Sequence, residues 1–253
     1  MSKVKVSAIS YLNTIPFIYG LQNSSILSKI DITFDVPSTC AKRLNDNTAD
    51  IGIVPVAVIP SLPEYHIISN FCIGAKGKVR TVALFSNSNI DRIKTIYLDN
   101  DSRTSALLVQ ILAHKYWKIT PEFKPLNHLD YGAENVAYML IGDKVFDAEN
   151  RFAYSFDLSD EWYKFKKMPF VFATWTANKK LNEDFLREFN AALAFGINNI
   201  QDAIEQQSNG IDKNTAIEYF EKNISFEFDS LKRQGLTEFW NLALEEIKRD
   251  RVR

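Results

Sequence analysis

The run Asp99-Asn100-Asp101-Ser102-Arg103-Thr104-Ser105 sets a guanidinium among hydroxyls, between an apolar stretch and the start of a helical one. A planar, permanently charged fork with hydroxyl donors beside it is a receptor for a carboxylate. A helix start adds backbone N–H groups and the positive end of its dipole. The same residues also read as a capping turn in which Arg103 pairs with a local aspartate. Ser10, Asn13 and Thr14 follow the first apolar run. Their amide and two hydroxyls could hydrogen-bond a ligand carboxylate or hydroxyl, or cap the helix that Pro16 opens. Asp143, after Gly142, reads first as a brace for a tight turn and second as a base. Ser86 ends an apolar strand and either faces a cleft or satisfies local backbone.

Other chemistries find little support. His66, His114 and His128 lack zinc-ligand spacing, and Cys40 and Cys72 read as small core hydrophobes, so no metal site is expected. There is no G-x-G-x-x-G, Walker or G-x-S-x-G sequence, so no nucleotide cofactor or nucleophile elbow is indicated. The net charge of −1 carries no global attraction for nucleic acid. No apolar run reaches membrane-spanning length and no signal sequence is evident, which gives an expectation of a cytoplasmic protein without a membrane partner.

The positioning elements follow from apolar periodicity. Residues 4–9, 31–36 and 51–54 read as strands, separated by helices that Pro16 and Ser38 begin. This β-α-β-α-β order points to a parallel sheet. A second α/β unit starts near Thr95, with Val79 to Ser86 as a strand carrying the chain towards it. The expected class is α/β in two lobes: residues 1–88 with 176–253, and residues 89–175. The chain crosses twice, near residues 85–92 and 170–177.

Four blocks then resemble the MqnA family, the chorismate dehydratases of the futalosine route to menaquinone. They are Ser10 to Pro16, Ala49 to Ala57, Leu98 to Ser105, and Ile141-Gly142-Asp143, with Pro169 to Trp175 as a less specific fifth. Phe17 after Pro16 and the Asn100-Asp101 pair depart from the usual pattern. The resemblance implies a periplasmic-binding-protein type II-like fold with the substrate in an interlobe cleft. The implied partner is a small-molecule dicarboxylate, chorismate, converted to 3-[(1-carboxyvinyl)oxy]benzoate without a redox cofactor. Carried over by motif, Ser10, Asn13 and Ser86 serve the reacting groups, and Ser102, Arg103, Thr104 and Ser105 form an anion pocket. A sister family makes 1,4-dihydroxy-6-naphthoate in the same pathway, and a non-catalytic anion-binding protein shares the implied fold.

Overall fold

A computed structural model describes residues 3–99, 101–142, 144–207 and 211–252. Its strands are β1 (Val4–Ile9), β2 (Ile30–Asp35), β3 (Ile51–Pro55), β4 (His66–Ala75), β5 (Val82–Ser86), β6 (Thr95–Leu98), β7 (Glu122–Pro125), β8 (Val136–Ile141), β9 (Tyr154–Asp157) and β10 (Phe170–Ala177). Its helices are α1 (Ile15–Gln22), α2 (Pro37–Asn45), α3 (Arg103–Ile111), α4 (Lys144–Ala148), α5 (Leu158–Lys166), α6 (Glu183–Asn198), α7 (Ile200–Gln206), α8 (Lys213–Lys222) and α9 (Ser230–Val252). They gather into two units, Met1–Gly74 with Val171–Asp229, and Ala75–Phe170 with Ser230–Arg253.

The first unit is built on a sheet of order β2-β1-β3-β10-β4. β1 runs parallel to β2 and β3, and β10 returns antiparallel to β3. β3 and β10 are buried at every position, so β3 reads as an unbroken apolar run and β10 as one interrupted by the buried Thr174 and Thr176. α1 carries Pro16 in its first turn, where a missing N–H costs no bond. α2 starts at Pro37 with Val36 ahead of it, so Ser38 lies inside the helix and does not cap it. The proline, with its φ already set for the first helical position, fixes that start. Glycines let α1 and α6 meet backbone to backbone. A β-carbon on Gly196 would lie 1.8 Å from the Pro16 carbonyl oxygen, and one on Gly20 would lie 2.0 Å from that of Ala192. Below them Phe17 meets the Trp175 and Phe226 rings edge-on.

The second unit has the order β7-β6-β8-β5-β9. β6 is parallel to β7 and β8, and β5 is antiparallel to β8 and β9. β5 is thus an interior strand of this sheet, and the chain enters the unit ahead of it, at residues 74–75. The expected boundaries at 88/89 and 175/176 therefore move to 74/75 and 170/171. A third junction falls at 229/230 because α9 belongs to this unit, not to the first. Contacts explain the placement. Phe239 is fully buried against Trp162 and Phe170. Lys115–Glu245 and Lys166–Glu238 ion pairs, each at 2.6 Å, flank it. The helical signal near Glu134 is overruled: Asn135 adopts φ +58° in a turn before β8.

Candidate functional site

Both groups of candidate residues lie just past the carboxyl ends of parallel strands, where α/β sheets place ligands. In the first unit Ser10 follows β1 directly, and Leu12–Thr14 forms a single 3-10 turn ahead of α1. No side chain caps either helical segment. The buried Thr14 hydroxyl instead points back to the carbonyls of Ile9 and, at 2.8 Å, Tyr11. That bond pins the turn to the end of its strand. Ser10 is exposed and Asn13 half-buried, and neither side chain has a hydrogen-bond partner among the described residues. Of the two uses open to this cluster, Thr14 takes up the local one. Ser10 and Asn13 keep their donors and acceptors for something else.

In the second unit the hydroxyls and the arginine divide the work differently. Ser102 is the N-cap of α3, its Oγ accepting from the Ser105 N–H at 3.1 Å and lying 2.9 Å from the Ser105 Oγ. Thr104 and Ser105 are buried. The three hydroxyls thus belong to the start of the helix. Arg103, the first residue of α3, is exposed. It has no hydrogen bond or ion pair among the described residues. The local pairing that the sequence allowed is absent there, and Lys144 takes the aspartates instead. Its Nζ lies 2.9 Å from Asp99 Oδ2 and 2.9 Å from Asp101 Oδ2. Burial works against the charge on Lys144, but the two carboxylates outweigh it and hold the ammonium above its usual range.

One expected participant falls elsewhere. Ser86 is fully buried, donates to the Val136 carbonyl at 2.7 Å and accepts from the Ser88 N–H at 2.9 Å. Its hydroxyl braces the end of β5 and faces no open space, so the catalytic assignment of Ser86 is corrected. Asp143 lies outside the described residues; the turn before it has Gly142 at φ +63°, a conformation costly for a side chain with a β-carbon. His114, which was no site candidate, has a structural place: its side chain is buried on a π-helical turn, Leu112–Trp117, with Nδ1 bonded to Glu246.

Lys144 is the residue that sequence reasoning missed. Its position directly after the strand-turn Ile141-Gly142-Asp143 matters only through the sheet, in which β8 pairs with β6, the strand that Asp99 follows. The ends of β6, β7 and β8 also enclose a concavity of about 410 Å³. Asp99, Asp101, Lys144, Asp147, Asn127, His128 and Tyr131 supply its polar lining, and Leu126, Leu129 and Leu140 its apolar lining. A volume of this order suits a small organic molecule. Among the described residues, no helix is long and apolar enough to cross a membrane.

Two α/β units, each with a mixed sheet and candidate residues at strand ends, define a periplasmic-binding-protein-like fold of type II. The protein AF1704 of Archaeoglobus fulgidus is similar over 96% of this chain and 97% of its own, with a TM-score of 0.75 at 17% identity. The Candida albicans CA3427 gene product, described as having the generic periplasmic binding protein fold, matches at TM-score 0.65 and 14% identity, over 98% and 95% of the chains. The periplasmic aliphatic sulphonate binding protein SsuA of Escherichia coli matches at 0.58 and 13%, over 96% and 94%. At these identities the likeness shows the fold alone. The sequence goes further: the chain belongs to the menaquinone biosynthesis (VitK2_biosynth) family, whose model matches residues 4–245.

Proposed function

We propose that this chain is a chorismate dehydratase, forming 3-[(1-carboxyvinyl)oxy]benzoate and water. The observation that carries the reading is Arg103. It stands exposed at the start of α3, without an ion pair among the described residues, although two aspartates lie within four positions of it. A guanidinium kept open in this way is suited to a carboxylate, and chorismate carries two. Membership of the menaquinone biosynthesis family supports the pathway, and the motifs around Asn13 and Arg103 support this step within it.

The reaction removes the ring hydrogen beside the enol ether as a proton. The electrons of that C–H bond form the new ring double bond, the neighbouring C–O bond breaks, and hydroxide leaves and takes up a proton as water. Aromatisation supplies the driving force. In this reading Arg103 fixes one carboxylate, and Ser10 and Asn13 serve the enolpyruvyl carboxylate and the leaving hydroxyl. With neutral donors around it, the enolpyruvyl carboxylate of the substrate itself is the proton acceptor, and Asp143 is its rival. A cytoplasmic location goes with this reading, and fractionation of cells making the chain checks it.

Incubation with chorismate, followed by ultraviolet spectroscopy and chromatography, tests the proposal. Appearance of the aromatic enol ether is the expected result. Bound but unconverted chorismate would mean a solute-binding protein. Neither binding nor turnover would send the search to the naphthoate-forming step.

A further inference from the structure

The division of charge at the end of β6 sets what a dianion meets there. Asp99 is 4% exposed, and an ionised carboxylate out of water demands a cation or several donors. It has the Asp101 N–H at 3.1 Å and Lys144 at 2.9 Å. Asp101, about half exposed, shares the same ammonium at 2.9 Å. One lysine from α4 therefore serves both acids, and Arg103 is left over. Sequence proximity alone favours the opposite outcome, because Arg103 is two residues from Asp101 and four from Asp99.

We propose that Lys144 is a positioning residue: by holding Asp99 and Asp101 it keeps the Arg103 guanidinium open for a carboxylate of the substrate. Without the ammonium, two carboxylates would compete for one guanidinium. The pairing would occupy the receptor, and the surplus negative charge would repel a dianion. The identity of the ligand rests on the function proposed above, but the state of Arg103 does not, so the two are tested separately.

The first measurement is labelling of Arg103 by phenylglyoxal, located by peptide mass spectrometry, in the wild-type chain and in Lys144→Met. Labelling in the variant is expected to be slower by about three-fold, as an exposed ion pair would impose. It is expected to recover in Lys144→Arg and in Asp99→Asn/Asp101→Asn/Lys144→Met. The second is steady-state turnover of chorismate: Lys144→Met should raise KM by about ten-fold while kcat changes far less, since charge complementarity acts mainly on binding. Unchanged labelling of Arg103 in a folded Lys144→Met overturns the proposal whatever the substrate proves to be. Absence of turnover by the wild-type chain overturns the chorismate reading and leaves the labelling result to stand or fall by itself. Should Lys144→Met fail to fold, Lys144→Gln, which retains a donor for Asp99, carries the same comparison.

Discussion

Replacing Gly196 by alanine should displace α1 and, with it, the turn that presents Asn13. The new β-carbon would lie 1.8 Å from the Pro16 carbonyl oxygen, 2.8 Å from the Gly20 nitrogen and 2.8 Å from the Pro16 carbonyl carbon. Ordinary contact begins near 3.4 Å, so the helices must separate by more than an ångström. Every atom struck is backbone, and no rotamer change relieves the clash. Overpacking of this kind costs roughly 1–3 kcal/mol, and here the upper end applies. Alanine regains up to about 1 kcal/mol of helix propensity. The net loss of about 2 kcal/mol should lower the midpoint of thermal unfolding by roughly 4–8 °C. Pro16 is three residues from Asn13, and misplacement of a reacting group by about 1 Å costs on the order of 100-fold in rate. Differential scanning fluorimetry and chorismate turnover read the two effects. Gly132→Ala is the control, since its β-carbon meets only Asp130 Oδ1, at 3.6 Å. A Gly196→Ala protein with wild-type midpoint and rate would refute the idea that this helix contact positions the turn.

Arg103→Ala should raise KM for chorismate about 10- to 100-fold, the value of a charge-assisted hydrogen bond; steady-state kinetics decides. Asn13→Ala should lower kcat with little change in KM, and an unaltered rate removes Asn13 from the reaction. Asp157 accepts from the N–H groups of Val79, Arg80, Ser159 and Asp160, tying the approach to β5 to the start of α5. Asp157→Ala should destabilise the chain by about 2 kcal/mol or more, visible in denaturant unfolding. At Asp50 burial works against the charge, but Lys179 at 2.6 Å and the Lys5 N–H at 2.9 Å outweigh it and hold the carboxyl below its ordinary 3.8. Its stabilising contribution is therefore present above the unfolded value and disappears as pH falls through the folded one. Acid titration of stability, roughly between pH 5 and 3, should be less steep for Asp50→Asn than for wild type.

Much of this architecture is written locally. β1 and β3 were legible because apolar runs stop at hydroxyls or at proline, and α1 because Pro16 suits a first turn. What was not legible is which neighbour a buried segment chooses. Val82 to Ser86 has the same apolar character whether it links two sheets or lies inside one, and only its pairing with β8 and β9 decides. Likewise nothing local in α9 says what covers Phe239; Trp162 and Phe170 settle it from far away in sequence. At the site, residue type identified Arg103 and Asn13 as donors. Charge pairing across 45 positions, Lys144 to Asp99, could not be seen in any local window, and neither could the commitment of Ser86 to the Val136 carbonyl.

The threading of the chain has a bearing on how it is made. On the ribosome, the aromatic surface of Trp162 and Phe170 emerges some seventy residues before Phe239, which covers it in the finished molecule. Until then the nascent polypeptide carries an unshielded oily seam, a natural target for a chaperone and a point where premature termination would leave material prone to clump. The unit containing Arg103 thus gains its full cover only once α9 has been made.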